Sequence, residues 1–313
     1  MRVAVVGVGA VGGYFGGRLA RSGVDVSFIA RGQTLAALQH AGLRVDSIGG
    51  DFVVEPAHAH ASASEAGAVD VALVAVKAWQ VTELAPTLRP LLHPQTVVVP
   101  LQNGVEAADQ LAAALGRRHV APGVCHIVAS LVAPAHVRHA GLEPRIAFGE
   151  WDDQPSERLQ QLHRAFTEAG VNAQIPATIG VAVWEKFLFI ASLAGVGSAT
   201  RVPAGVLRRT PETRNLLEQV MDEVAAVARA RGVQLPADAV SRTLTFVDAL
   251  PEGATASMQR DIAAGRPSEL EAIVGAVARL GAQAEVPTPV SAFLYGILLP
   301  QELQARSGQE PPP

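Results

Sequence analysis

The spacing of apolar positions changes about halfway along the chain. In the first half, short β-branched runs alternate with helical patterns. VAVV at residues 3–6 is a compact apolar run of the buried-strand type. Val24 to Ala30 forms a second run, Val69 to Val76 (VDVALVAV) a third, and Thr96 to Leu101 (TVVVPL) and Val120 to Val128 two more. Between them Val11 to Ser22, closed by Gly23, Leu35 to Ala41 and Ala107 to Leu115 have helical composition. Continuous rather than alternating hydrophobicity, with helices between the strands, predicts a parallel sheet covered on both faces. From about Ala177 the period becomes helical: Val181 to Ala194, Thr213 to Arg231, Ala237 to Asp248, Glu269 to Leu280 and Pro289 to Gln304. Pro211 and Pro236 sit near two of these starts, where a proline is tolerated. The tail after Arg306 (SGQEPPP) reads as a frayed end. The expectation is an α/β domain over residues 1–176 followed by an all-helical domain over 177–313.

Composition agrees and narrows the partners. A chain of 313 residues suits two domains. Hydrophobic residues at 49% and charged ones at 17% exclude a disordered chain. With aromatics at 4%, the cores must be built from Ala, Val and Leu. Lys plus Arg (25) do not outnumber Asp plus Glu (29), and no basic block exceeds the pairs Arg117-Arg118 and Arg208-Arg209. That balance argues against nucleic-acid or anionic-membrane partners. The single cysteine, Cys125, cannot form an internal disulfide, so nothing points to an oxidising compartment. Met1 to Gly17 lacks a cleavage-site pattern, and Phe187 to Ala199, at 13 residues, is too short to span a bilayer. A cytoplasmic protein is expected.

The strongest local motif is Gly7-Val8-Gly9-Ala10-Val11-Gly12, between the first strand and the first helix. The first glycine permits a tight turn, the second lets a pyrophosphate approach the backbone, and the third lets helix and strand pack closely. The diphosphate then meets the free N–H groups and positive end of the helix. Gly13, Gly16 and Gly17 read as helix-packing residues. In NAD sites of this kind an acid ends the second strand and holds the ribose hydroxyls. Here VDVSFIA ends in Arg31, and Asp25 lies at the strand's far end. A guanidinium suits a phosphate, so the expected cofactor is NADP rather than NAD. The third strand ends in Lys77 and the next in LQNG, with Asn103 and Gly104; strand C-terminal ends face the ligand crevice in open α/β sheets.

GVGAVG, Arg31, VKAWQV, LQNG, WEK and SMQRDI…SELE together resemble the ketopantoate reductases (2-dehydropantoate 2-reductases), from Met1 to about Leu299. VKAWQ and SMxxDI are the most specific pieces. The resemblance implies a Rossmann domain joined to a helical one with the active site in the cleft between them, and NADPH-dependent reduction of a 2-oxo acid to a 2-hydroxy acid. It places cofactor contacts on Gly7 to Gly12, Arg31, Lys77, Asn103, Ala129 and Glu269, the general acid on Lys186, and substrate contacts on Lys186 and Ser257. Read alone, Lys186 is a charge at the head of the apolar run FLFIASLAGVG, Ser257 a helix N-cap and Glu269 a solvated helix residue.

The chain also departs from the family. Where members carry pocket asparagines it has Ile190 and Ala194, four and eight residues beyond Lys186, Ala254 three before Ser257, and Ala204. A more apolar pocket follows, unless Ser192 or Ser198 fills the same space. A non-catalytic NADP-binding sensor of the same fold is the competing reading, and another two-domain dehydrogenase a third. A homodimer is left open. His58 and His60, and His136 and His139, read as surface loop histidines rather than metal ligands. Cys125 reads as a small buried hydrophobe, and Trp79, Trp151 and Trp184 as packing residues.

Overall fold

The computed structural model describes residues 1–308; Gln309 to Pro313, most of the tail expected to fray, lie outside the described residues. The chain divides into two compact units. The first takes in Met1–Gln102 and Glu106–Ile179; the second takes in Asn103–Val105 and begins again at Gly180.

The first unit holds ten strands: β1 Arg2–Val6, β2 Asp25–Ile29, β3 Leu43–Ser47, β4 Phe52–Val54, β5 His58–His60, β6 Val71–Val74, β7 Val97–Pro100, β8 Gly123–Ala133, β9 His136–Phe148 and β10 Asn172–Gln174. Its helices are α1 Ala10–Arg21, α2 Gly32–Ala41, α3 Ala63–Ala66, α4 Val81–Leu84, α5 Ala107–Leu115 and α6 Glu157–Glu168. Five strands form a parallel sheet in the order β5-β2-β1-β6-β7. Its apolar runs are continuous because both faces are buried. Val3 and Val5 of β1 join a core with Tyr14, Phe15 and Leu19 of α1. Ala4 and Val6 join another with Val81, Leu88 and Leu111 on the opposite side.

The run 120–128 does not extend this sheet as expected. Val120 makes one parallel bridge to Val98, and the chain then enters a second sheet, ordered β10-β9-β3-β4 with β8 paired antiparallel to β9. The reason is the partner. β8 is only half covered, with Val128, Leu131 and Val132 exposed, and β9 carries Arg, Glu, Gly and Pro in HVRHAGLEPRIAF. The run 120–128 announces β8 as a strand but not its sheet, and no apolar run announces β9.

The second unit is helical: α7 Ile179–Thr200, α8 Ala204–Arg209, α9 Pro211–Ala230, α10 Ala239–Asp248, α11 Ser257–Ala263, α12 Ala276–Gln283 and α13 Pro289–Ser307. A π-helical turn, Glu271–Gly275, leads into α12. α7 has 22 residues, so its length and apolarity would suffice for a bilayer, contrary to the expectation from the shorter run. It packs instead through Trp184, Phe187, Leu188, Leu193 and Val196 against α9, α12 and α13 in one core. α6 and α8 have no counterpart in the sequence pattern, whereas α11 begins where Ser257 reads as a helix N-cap.

Candidate active site

In the first unit the glycine turn joins β1 to α1. Gly7 has φ +92°, and a Cβ there would lie 2.7 Å from Val76 Cγ1 and 2.8 Å from Val76 N. A Cβ on Gly12 would lie 2.1 Å from the Gly7 carbonyl. Both glycines are therefore demanded by packing. Gly9 differs: a Cβ there would meet nothing within 4 Å. It is also the N-cap of α1 and supplies no side-chain acceptor to the first-turn N–H groups, which lack partners within the helix. An open approach to uncapped amides is what a diphosphate requires, so the residues fit a dinucleotide. Gly13, Gly16 and Gly17 pack as expected, their missing Cβ atoms standing against Val137, Val5 and Leu43.

Arg31 is the N-cap of α2, one residue past Ala30 at the tip of β2, exposed and with a side chain that makes no hydrogen bond or ion pair among the described residues. Lys77 lies three residues beyond the end of β6, and its ammonium stands 5.6 Å from the centroid of Trp79. Trp79 is 39% exposed and is not the packing residue anticipated. Trp151 stacks under Arg117 at 4.3 Å, whereas Trp184 is buried against Phe187. Ala129 lies on β8 opposite His139 of β9. The histidines are strand residues rather than loop residues: His58 and His60 form part of β5, His136 bonds Asp46, and His139 is buried between Ser47 Oγ and the Leu142 carbonyl. Cys125 is buried as expected.

In the second unit, Asn103 Nδ2 donates to Glu269 Oε2 at 3.0 Å. Glu269 is buried, not solvated, because this amide and the π-helical turn that follows enclose it. Gly104 has φ +95°, and a Cβ there would stand 2.6 Å from the Ala272 carbonyl. The turn also places Glu271 to accept from the Tyr295 hydroxyl at 2.7 Å, a hydrogen bond that, with burial, pushes that phenol up to about 12.

Lys186 is half-buried on α7, and its ammonium has no hydrogen bond or ion pair among the described residues. Its neighbour Glu185 is engaged by Arg242. Ile190 and Ala194 follow at helical spacing and are buried. Ser257 is the first residue of α11 with Ala256 as N-cap, so it is not the cap the sequence suggested; its half-buried hydroxyl is unpartnered among the described residues. The Ala204 N–H donates to the Ala254 carbonyl at 2.9 Å, which joins two of the four positions where amides are missing. Ser192 cannot replace them. It is fully buried and its hydroxyl donates to the Leu188 and Phe189 carbonyls of its own helix. Ser198 is buried with its hydroxyl unpartnered among the described residues.

Two family models cover nearly the whole chain, ketopantoate reductase PanE/ApbA over residues 3–153 and ketopantoate reductase PanE/ApbA C terminal over residues 179–302. The chain belongs to the ketopantoate reductase family. It is 31% identical over 300 residues to the uncharacterized oxidoreductase YkpB of Bacillus subtilis, covering 95% of this chain and 98% of that protein. It is 32% identical to a 2-dehydropantoate 2-reductase of Mesorhizobium japonicum, covering 92% and 94%. The crystal structure of a PanE/ApbA family ketopantoate reductase from Ralstonia eutropha matches with TM-score 0.89 and 31% identity over 98% of this chain and all of that one. The protein is therefore an oxidoreductase acting on CH–OH.

Gln80 and Gln102 lie inside the motifs VKAWQV and LQNG but carry no signal of their own in the sequence. Their side chains bond backbone atoms rather than present a charge, and such a role leaves no compositional mark.

Proposed function

We propose that the protein reduces a 2-oxo acid to a 2-hydroxy acid with NADPH, the substrate being 2-dehydropantoate or a close analogue with a more apolar side chain. The observation that carries the reading is the unpaired, half-buried Lys186 ammonium on a helix whose next two turns present Ile190 and Ala194. With its diphosphate held at the glycine turn, a reduced nicotinamide cofactor would supply the hydride that the carbonyl carbon accepts. Lys186 stabilises the negative charge that then develops on the carbonyl oxygen and donates the proton that completes the alcohol. Ser257 offers its free hydroxyl to the substrate's polar groups. Gly7 to Gly12 hold the diphosphate, Arg31 the 2′-phosphate, and Lys77, Asn103, Ala129 and Glu269 complete the cofactor contacts.

Missing amides cannot pair the hydroxyl of ketopantoate, and an unpaired buried polar group can lower discrimination by orders of magnitude. The test is NADPH oxidation against a panel of 2-oxo acids. Reduction is expected, with kcat/KM for apolar acids of similar size equal to or above that for ketopantoate. Lys186→Ala should lower kcat by about 10²-fold while NADPH binding persists. A wide preference for ketopantoate would remove the altered specificity and leave the plain family reaction. NADPH binding with no acid reduced would favour the sensor.

A further inference from the structure

One peptide unit beside the glycine turn is gripped at both of its polar groups by glutamine side chains. β6 ends at Val74, so the Val76–Lys77 peptide lies outside the sheet ladder. Gln102 Nε2 donates to the Val76 carbonyl at 3.0 Å and to the Val74 carbonyl at 2.9 Å. The Lys77 N–H donates to Gln80 Oε1 at 3.1 Å, and the Gln80 N–H returns to the Lys77 carbonyl at 2.9 Å. The carbonyl and the amide of the 76–77 peptide are thus both fixed, and with them the plane of that peptide.

Two features adjoin that peptide. Val76 is the wall against which Gly7 sits, with Val76 N 2.8 Å from the position a Gly7 Cβ would take. Lys77, the next residue, takes its direction from the same peptide. Gln102 is only 7% exposed, and its Oε1 has no partner among the described residues. A buried acceptor without a partner lowers stability, so an apolar residue of similar size would serve packing equally well. What the amide adds is the pair of donated hydrogen bonds.

We propose that Gln102 is a positioning residue for the dinucleotide. By anchoring the Val76 carbonyl it holds Val76 against the glycine turn and sets the aim of Lys77, and through them cofactor affinity. This rests on the reading of Gly7 to Gly12 as the dinucleotide site. The test is calorimetric titration of NADPH into wild-type protein and Gln102→Leu, with thermal melts and steady-state kinetics alongside. The variant is expected to bind NADPH about tenfold more weakly with kcat at saturating NADPH within about twofold, while the loss of both hydrogen bonds also lowers the melting temperature. A merely structural side chain would lower the melting temperature in the same way but leave the affinity of the folded protein unchanged. That result would overturn the proposal. Should Gln102→Leu fail to fold, Gln80→Ala, on the exposed side of the same peptide, is expected to weaken binding by about threefold at unchanged melting temperature, the loss of one hydrogen bond. Equal affinity there would overturn the proposal as well. Wild-type protein that bound no dinucleotide would overturn the cofactor reading, an outcome distinct from wild-type and variant proteins binding alike.

Discussion

Arg31 stands where a carboxylate would hold two ribose hydroxyls, and its charge is free for a ligand. A free guanidinium at that point can pair with a 2′-phosphate and offers nothing comparable to a hydroxyl. Arg31→Ala should therefore weaken NADPH binding by about 1.5–3 kcal/mol, the range for a hydrogen bond to a charged group, and leave NADH binding almost unchanged. Titration of both cofactors decides this, and equal losses would remove Arg31 from the phosphate site. The glycines show the complementary case. Gly7 and Gly12 are set by packing within the protein, whereas Gly9 faces open space, so only Gly9 is explained by something the fold itself does not contain.

Among the elements, α13 illustrates how a helix end can be satisfied from elsewhere. Its N-cap, Thr288, makes no side-chain cap, and the first-turn N–H groups of Val290 and Ser291 are taken at 2.7 and 2.8 Å by Glu223 of α9, which also accepts from Ser291 Oγ. Glu223→Ala would leave these buried donors unpaired and should lower stability by about 1–3 kcal/mol, read from the midpoint of urea unfolding. A midpoint equal to wild type would show that water replaces the carboxylate. A sequence pattern finds helix starts through local caps, so a cap delivered from α9 is invisible to it. The same applies to β8 and β9. The run 120–128 shows that β8 is a strand but not which sheet it joins, the Gly and Pro within β9 leave no continuous run there, and each supplies the other's ladder bonds. β1, β2, β6 and β7, buried on both faces, were legible for the opposite reason.

Over the whole molecule, charge pairing sets the pH limits of stability. Burial pushes the Glu150 carboxyl up, but Arg158 and Ser156 more than offset this and hold it below its usual range, and Arg214 does the same for Asp248. Groups held low contribute stability above their unfolded pKa, near 4, and lose it as pH falls through the folded value. Tyr295 behaves oppositely. Raised from 10.0 to about 12, it contributes fully below pH 10 and loses that contribution as pH climbs toward 12. The urea midpoint should thus fall below about pH 4 and again above about pH 10, and Tyr295→Phe should flatten the alkaline decline. An unchanged alkaline slope in that variant would assign the decline to other groups.

Sequence by itself determined the parallel sheet, the glycine turn, the change to helices and the family, because each is written in residues close together in the chain. Strand runs and GVGAVG carry their own geometry, and the motifs lie at the ends of elements that local patterns can find. The tertiary structure alone decided the second sheet, the enclosure of Glu269 by Asn103, the cap on α13 and the grip on the Val76–Lys77 peptide. Each includes a contact between residues distant in sequence, and 166 positions separate Asn103 from Glu269. A polar side chain far along the chain bears no local sign of which backbone group or partner it will satisfy; only the folded chain brings donor and acceptor together.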